Sequence, residues 1–239
     1  MSKVTIGLDI AKSVFHLVFM NQSGRVLRKK KLRRHQMLSY FSQLEPCIVV
    51  MEACGSCHYW CRELTKAGHE VKAIAPQYVV AYRKGNKHDY NDAEAIAEAS
   101  QREGMRFVPF KSQDQQDIQL MHRIRERMIA QQTALSNQIR GLLSEYGIVY
   151  VRGVATLVKE LPLTLEEADN GLSMLARRQF QGLLNDLREL REHIKEMDKG
   201  LKAFSQSQPV CERLMSMTGI GPLIATALYA GIGQGQAFN

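Results

Sequence analysis

The sequence predicts an α/β domain that is followed by long helices. Three observations lead to this prediction: apolar runs typical of strands in residues 4–75, short helical patterns between the later strands, and two long segments of helical spacing after residue 112. The chain has 239 residues, of which 45% are hydrophobic, and this is sufficient for one sizeable domain with a smaller attachment. We therefore expect a folded chain with structurally distinct parts.

Five strand patterns and two helical patterns fill the first 75 residues. The strands are predicted at 4–10, 14–20, 25–34, 47–51 and 70–75, and the helices at 35–44 and 56–67. Short connections join the first three strands into a meander. The continuous apolar run CIVVM suits a fourth strand that is buried on both faces and paired in parallel. The order β-β-β-α-β-α-β, with helices following, is that of a ribonuclease-H-like α/β fold.

Two long segments with helical spacing dominate the second half of the chain. They cover about 113–146 and 172–204, and a loop-rich connection that contains Pro162 separates them. Such a pair most often forms an antiparallel coiled-coil hairpin, and the alternative is a bundle packed back on the α/β domain. The predicted domains are an α/β domain at 1–111, a coiled-coil region at 112–207 and the start of a helical C-terminal domain at 208–239.

Two glycines interrupt the apolar helical pattern of residues 214–233. Gly219 and Gly221 flank Ile220 in a turn that is similar to a helix-hairpin-helix, in which glycines allow backbone amides to approach a DNA phosphate. A glycine turn between two core helices explains the pattern equally well. Gly219 and Gly221 are therefore candidate nucleic-acid-binding residues, and the alternative is that they only form the turn between two core helices.

The charge balance favours a polyanionic partner. Lys and Arg number 32 against 24 Asp and Glu, which gives a net charge of +8 and an isoelectric point near 9.3. Nucleic acid is such a partner, although a basic enzyme of another class has the same balance. No apolar run approaches the roughly 20 residues of a membrane span, and Asp9 and Lys12 interrupt the apolar N-terminus. We therefore expect a cytoplasmic protein.

The segment EACGSCHYWC (52–61) contains two thiols and a histidine at the spacing of a covalent haem site, and it could also suggest zinc. Cys54, Cys57, Cys61 and Leu64 also recur at three- and four-residue intervals, which places them on one stripe of a helix. Free cysteines behave as small buried hydrophobes. An odd number of cysteines in a reducing compartment does not indicate a disulfide framework. We expect these cysteines to pack in the core.

Four carboxylates have a reason to meet in this fold. Asp9 lies on the first strand and Glu52 at the end of the fourth, and these strands are adjacent and parallel in the inferred sheet. Asp89 and Asp92 are three residues apart at the start of a predicted helix, so both project from one face. Two carboxylates at about 5 Å repel each other by roughly 3 kcal/mol at an effective dielectric near 20, so the cluster favours bound cations. Oxygen ligands suit Mg²⁺ or Mn²⁺, and two such ions support chemistry at a phosphodiester.

Each of these acids also has a structural explanation by itself. Asp89 and Asp92 favour the positive end of a helix, Glu52 can cap the helix that follows it, and Asp9 can end a strand in a turn. The placement of all four at these points of one fold favours the metal site.

Three segments of the chain together resemble a known family. IGLDIAKSVF, VVMEACG and NKHDYNDAEAIAEA are similar to the motifs of the DEDD transposases of insertion sequences, the family that includes the pilin-gene inverting recombinase. The resemblance covers nearly the whole chain, since MTGIGPLIATALYAGIG is similar to the opening of that family's C-terminal domain. It implies a RuvC-like nuclease domain, a coiled coil and a C-terminal transposase domain.

The resemblance also implies which residues act and on what. Asp9, Glu52, Asp89 and Asp92 would be the metal-binding catalytic tetrad, and the activity would be DNA recombination, directed in some members by a structured bridge RNA. Glu52 would then be the chemical residue of its segment, and the cysteines after it would hold it in place.

Family members also carry a nucleophilic serine in the later C-terminal domain. Ser205, Ser207 and Ser216 do not stand in the matching context, so none of them is assigned that role. The sequence reaches Asn239 before the region that would hold the serine, and we expect complete transposition to need more than this polypeptide.

Two groups of basic residues are candidates for contact with nucleic acid. The densest is the run from Arg28 to Arg34 on the predicted third strand, which is either a solvated edge or a phosphate-binding strip. Arg83, Lys84 and Lys87 flank the acidic pair and are predicted to meet a nucleic-acid backbone that enters the site.

The arginines of the first long helix and the histidines of the first unit are expected to have structural roles. The arginines of the first long helix are expected to form a solvated face. His16, His58 and His69 are scattered along the chain and are expected to have core or surface roles rather than to bind a metal.

Three other functions are compatible with parts of the sequence. Actin-like sugar kinases and ATPases share the sheet order and a first-strand aspartate, but LDIAKSVFHLV lacks their small-residue phosphate loop. A resolvase would cut branched DNA with a metal-activated water and needs no serine. A non-catalytic product would bind DNA, RNA or the full-length enzyme, with a homo-oligomer formed through the long helices.

Overall fold

The computed structural model describes residues 4–83 and 88–233, and the chain divides into two units between Ser112 and Gln113. No helix in the described part of the chain is long and apolar enough to cross a membrane. The predicted contact residues Lys84 and Lys87 lie outside the described residues.

The first unit is built on a mixed sheet. Its strands are β1 (Thr5–Asp9), β2 (Val14–Met20), β3 (Val26–Arg33), β4 (Ile48–Glu52), β5 (Glu70–Ile74) and β6 (Phe107–Val108). Its helices are α1 (Met37–Phe41, after a 3₁₀ turn at Arg34–Gln36), α2 (Cys57–Lys66), α3 (Pro76–Val80) and α4 (Asp89–Ser100). The strand order is β3-β2-β1-β4-β5-β6, in which β1, β4 and β5 run parallel and the other pairings are antiparallel. This arrangement is consistent with the predicted ribonuclease-H-like fold.

Apolar side chains cover both faces of this sheet. On one face, residues such as Leu8, Leu17 and Met51 form a core with α1 and α2. On the other face, Val50 packs with Ile96 and other apolar side chains of α3 and α4. The central strands are therefore buried on both sides, which explains the continuous apolar run of β4.

The cysteine stripe belongs to the first of these cores. Cys57 and Cys61 are fully buried on α2, and their sulfur atoms lie 3.7 Å apart. His58 is turned elsewhere, since its Nδ1 accepts a hydrogen bond from the backbone N–H of Lys111 at 3.1 Å. The packing prediction is confirmed for these two cysteines, whereas Cys54 is exposed and the prediction is wrong there.

The second unit is helical. Its helices are α5 (Gln113–Ser144), α6 (Val154–Glu166), α7 (Met174–Ser207), α8 (Pro209–Met215) and α9 (Pro222–Ile232). The long helices α5 and α7 are antiparallel, because Ile118 near the start of α5 packs with Leu201 near the end of α7. Farther along, Arg125 donates a hydrogen bond to Asp198, and Ile139 shares a cluster with α7. The two predicted long helices are thus present and antiparallel, while the predicted coiled-coil hairpin stays a prediction.

The loop-rich connection predicted between the long helices is wrong over 154–166. This segment forms α6, although Pro162 lies inside it. Proline removes one backbone hydrogen bond and costs about 3 kcal/mol in a helix interior. Leu157 and Leu161 are fully buried in a cluster with α5 and α7, and the burial of such an apolar face offsets that cost. The unit is therefore a helical bundle rather than two isolated helices.

Gly182 in α7 gives a simple prediction about stability. It is exposed within the helix, and a Cβ placed there would meet no atom within 4 Å. We expect Gly182→Ala to raise the free energy of unfolding by about 0.5–1 kcal/mol, because alanine loses less backbone entropy in a helix. Urea denaturation measures the change, and a fall in stability would show that α7 does not keep regular helical geometry at this position.

Candidate functional site

Two neighbouring strands bring the first two carboxylates to the same edge of the sheet. β1 and β4 are parallel with Leu8 opposite Met51, so Asp9 and Glu52 follow at the next matched position. Each residue is the last of its strand and is partly exposed. Because opposite residues of paired strands project to the same face, both side chains point to the face that α4 covers.

The helix α4 brings the other two carboxylates to this edge. Asp89 is its first residue and Asp92 lies one turn later, and the His88 imidazole caps the helix by accepting the Tyr90 N–H at 3.3 Å. Asp92 is largely buried, with 13% of its side chain exposed, whereas Asp89 is exposed.

The close packing of α4 on β1 depends on a glycine. Gly7 is buried on the same face of β1 as Asp9, two residues away. A Cβ on Gly7 would collide with the carbonyl oxygen of Ala93 and would lie 2.8 Å from the backbone nitrogen of Ala97. The absence of a side chain at this position therefore sets the distance between α4 and the strand that carries Asp9.

The charges of this cluster act strongly on Asp9. Burial, and then the charges of Asp92, Asp89 and Glu52, raise the pKa of Asp9 to about 6, and the Arg83 charge opposes them only in part. The charges of the other three predicted acids therefore all reach Asp9. A carboxyl group with such a pKa is easily neutralised by a proton or a cation.

Arg83 is the basic residue that the structure places beside the acids. It forms an ion pair with the Asp92 carboxylate through its Nε. Its side chain is 27% exposed, so the guanidinium is shared between the site and solvent. Among the predicted basic contacts of this region, Arg83 is the one whose surroundings are described.

His16 is buried, as a core role predicts, and it also lies beside the predicted acids. It lies opposite Asp9 in the antiparallel pair of β1 and β2, and its Nδ1 is 3.4 Å from an Asp89 carboxylate oxygen. Burial lowers the pKa of His16, which favours the neutral imidazole despite the nearby Asp89 charge. The side chain also packs edge-on against Tyr90, with 4.7 Å between ring centroids.

Three of these side chains are close enough to share a metal ion. One ligand atom each from Asp9, His16 and Asp89 lies within 4.8 Å of the other two. Carboxylate oxygens suit Mg²⁺ and Mn²⁺, and a neutral imidazole nitrogen suits transition metals better than Mg²⁺. The geometry therefore offers a divalent-cation site at the edge where β1, β2 and α4 meet.

The glycine turn lies in the second unit and is described separately from this site. Gly219 has a φ of 91°, which glycine adopts readily, and Gly221 precedes the first residue of α9. α8 and α9 flank the turn, and Cys211 and Ala225 pack together between them. The turn between two core helices is thus present, and its contact with DNA stays a prediction.

Comparison with known proteins gives a consistent result. The family model for transposases of the DEDD type, IS110, matches residues 6–148. The chain is 41% identical over 235 residues to a Pseudomonas aeruginosa protein named "Probable family 20 transposase", with 98% of the chain and 70% of the relative covered. It is 40% identical over 234 residues to the "Transposase for insertion sequence element IS1111A" of Coxiella burnetii, with 98% of the chain and 64% of the relative covered.

A third relative is the "Transposase for insertion sequence element IS1328" of Yersinia enterocolitica. It is 35% identical over 233 residues, with 98% of the chain and 69% of the relative covered. The chain thus spans about two thirds of the length of these relatives. The matched residues 6–148 include all four acids of the site, and the chain belongs to the IS110 family of DEDD transposases.

Proposed function

We propose that this chain carries the metal-dependent catalytic centre of a DNA transposase that cleaves and exchanges DNA strands. Asp9, Glu52, Asp89 and Asp92 are the proposed ligands of Mg²⁺ or Mn²⁺. The observation that carries the proposal is that ligand atoms of Asp9, His16 and Asp89 lie within 4.8 Å of one another, at the edge where β4 ends with Glu52 and α4 carries Asp92. Membership of the transposase family supports DNA as the substrate class.

The donor set fits hard divalent cations. Four carboxylates supply oxygen atoms, and the Asp92 carboxylate is held beside Arg83 within reach of the charge on Asp9. A bound pair of such ions would activate the attacking oxygen and stabilise the leaving oxygen at a phosphodiester. In this proposal Arg83 releases Asp92 to the cation and turns its guanidinium to a substrate phosphate.

The complete reaction involves more than these four acids. The family resemblance implies a nucleophilic serine, which we assign to no residue of this chain. A structured guide RNA is proposed from the same resemblance. A homo-oligomer formed through α5 and α7 is proposed from the length of these helices, 32 and 34 residues.

The test is a comparison of DNA binding, cleavage and covalent adducts with and without a divalent cation. The purified chain is incubated with branched and linear DNA in Mg²⁺ or Mn²⁺, beside Asp9→Asn and the control Asp186→Asn, which removes an exposed acid of α7. Cleavage that Asp9→Asn abolishes and Asp186→Asn retains supports the proposed centre. Such cleavage without a covalent adduct favours the resolvase-like use of water.

Binding without cleavage has a different meaning. If the chain binds DNA and its divalent-cation affinity depends on Asp9, the metal centre is present and DNA cleavage requires the nucleophilic serine in addition. If Asp9→Asn and Glu52→Gln leave that affinity unchanged, the site assignment fails and the non-catalytic function is favoured.

His16 gives a second prediction about the centre. We expect His16→Gln to lower Mg²⁺ affinity by about tenfold or more, because groups that orient a ligating carboxylate typically contribute 10–100-fold. Isothermal titration calorimetry measures the affinity, with the exposed His193→Gln as the matched control. A larger loss for Mn²⁺ than for Mg²⁺ would identify the imidazole as a direct ligand, and wild-type affinity for both ions would exclude a role for His16.

A further inference from the structure

The basic run of β3 is divided between the two faces of the sheet. In the pair with β2, Lys30 lies opposite Leu17, whereas Lys31 lies opposite His16 and Arg33 opposite Val14. Since opposite residues share a face and successive residues alternate, even-numbered and odd-numbered basic residues project in opposite directions.

The even-numbered residues face away from the carboxylate site and are held by aromatic rings. The Arg28 guanidinium lies 4.0 Å from the centroid of the Phe19 ring and donates a hydrogen bond to the Tyr40 hydroxyl at 2.9 Å. The Lys30 ammonium lies 4.3 Å from the centroid of the Tyr40 ring. These contacts give Arg28 and Lys30 a structural role at the α1 side of the sheet.

The odd-numbered residues lie on the face that carries the carboxylates. Lys29, farthest from the site along β3, forms an ion pair of 2.9 Å with Glu94 of α4. Lys31 and Arg33 are exposed, and within residues 4–83 and 88–233 no acid pairs with either. Two positive charges are therefore available on the site face, next to a cluster of negative ones.

Lys31 is in line with the proposed metal centre. Asp9 lies opposite His16, and His16 lies opposite Lys31, so the three residues form a row across β1, β2 and β3. With about 4.8 Å between neighbouring strands, the Cα atom of Lys31 lies about 10 Å from that of Asp9 across the sheet. That span exceeds the 3.4 Å axial rise of one nucleotide, so Lys31 would reach a phosphate beside the reacting one rather than the reacting phosphodiester itself.

We propose that Lys31 and Arg33 bind backbone phosphates beside the reacting phosphodiester, on the DNA strand that enters the carboxylate site. The inference rests on the proposed function, since it takes DNA as the substrate. It assigns Arg28 and Lys30 no part in this contact, although they belong to the same basic run. β3 thus supplies phosphate binding at an edge that would otherwise repel a polyanion.

Binding as a function of salt concentration tests the proposal. Fluorescence anisotropy of a labelled DNA duplex is measured in EDTA from about 50 to about 200 mM salt, so that neither metal binding nor cleavage contributes. Each phosphate contact adds about 0.9 to the slope of log affinity against log salt, so Lys31→Gln/Arg33→Gln is expected to reduce the slope by about 1.8. Arg28→Gln/Lys30→Gln is the matched control, because both double variants lower the net charge from +8 to +6.

The outcomes separate local contact from general charge. A loss of slope in Lys31→Gln/Arg33→Gln, an unchanged slope in the control pair, and recovery in Lys31→Arg/Arg33→Lys support the proposal. Equal slopes for the two glutamine pairs overturn it, because net charge alone then explains binding. A slope lost for a hairpin RNA but kept for duplex DNA also overturns it, since the strip would then serve RNA.

Folding and the proposed function are checked separately. Far-ultraviolet circular dichroism and thermal melting confirm that each double variant keeps its structure. If Asp9 proves unnecessary for cation binding while the slope still depends on Lys31 and Arg33, the catalytic proposal fails and DNA binding by β3 stands. The reverse result removes only the β3 contact.

Discussion

In metal-free buffer at pH 7, Asp9→Asn is expected to raise the free energy of unfolding by about 1–2 kcal/mol, although it removes a proposed ligand. The reason is the pKa of Asp9, which burial and then the charges of Asp92, Asp89 and Glu52 raise from 3.8 to about 6. A shift of this size corresponds to about 3 kcal/mol at most. The expected gain in stability is smaller than this limit, because Asp9 is partly exposed and solvent screens its interactions.

The sign of the effect gives the pH dependence. Between pH 3.8 and about 6 the unfolded chain loses the Asp9 proton while the folded chain keeps it, so stability falls as pH rises through this interval. Asparagine has no proton to lose. The advantage of Asp9→Asn should therefore be full at pH 7 and absent below about pH 3.8, as measured by urea denaturation in EDTA.

A divalent cation should reverse the order of stability. Wild-type protein gains about 2.7 kcal/mol when Mg²⁺ is present at 100 times its dissociation constant, and the variant gains much less because its site is incomplete. The exposed Asp186→Asn serves as the control, since it removes the same charge elsewhere. A variant that is less stable than wild type in EDTA at pH 7, or that Mg²⁺ stabilises equally, would contradict the proposed centre.

The meeting of the carboxylates could be anticipated from the sequence. The apolar run of β4 indicates a strand buried on both faces, and parallel pairing with β1 then brings Asp9 and Glu52 to one edge. Asp89 and Asp92 are tied to each other by helical spacing. The distance between α4 and the sheet could not be predicted from the sequence, because it depends on the close packing of α4 at Gly7.

His16 was missed because single histidines have no pattern of their own. Its position follows from the hairpin register, in which Asp9 pairs with His16 and Thr5 with Met20. Once the connection between β1 and β2 is fixed, period-two alternation places His16 on the Asp9 face. The signal was therefore present in the strand pattern, and only the register was needed to find it.

The helix α6, in contrast, could not be predicted from the sequence of its own segment. Gly153 before it and Pro162 within it are the residues that usually indicate loops. What stabilises the helix is the burial of Leu157 and Leu161 against residues of α5 and α7 that are distant in sequence. Helix propensity reflects only neighbouring residues along the chain. It therefore could not predict α6, which is stabilised by tertiary packing.

Among the described glycines of the first unit, Gly7 is the one at which alanine should be most damaging. The new methyl group would collide with the Ala93 carbonyl oxygen and lie 2.8 Å from the Ala97 nitrogen, and both are backbone atoms of α4 that no side-chain rotation can move away. Overpacking of this kind costs about 1–3 kcal/mol or more. The expected result is a lower urea midpoint with an unchanged m-value, opposite in sign to Gly182→Ala in α7.

The same substitution should also weaken the proposed metal centre. Relief of the collision requires α4 to move away from β1, and α4 carries Asp89 and Asp92 while β1 carries Asp9. We expect Mg²⁺ affinity to fall by at least tenfold at a temperature where Gly7→Ala is still fully folded, because carboxylates that no longer converge cannot share a cation. Calorimetric titration with Mg²⁺ measures this, and Gly182→Ala should titrate as wild type. Wild-type Mg²⁺ affinity in a destabilised Gly7→Ala would mean that α4 does not set the geometry of the site.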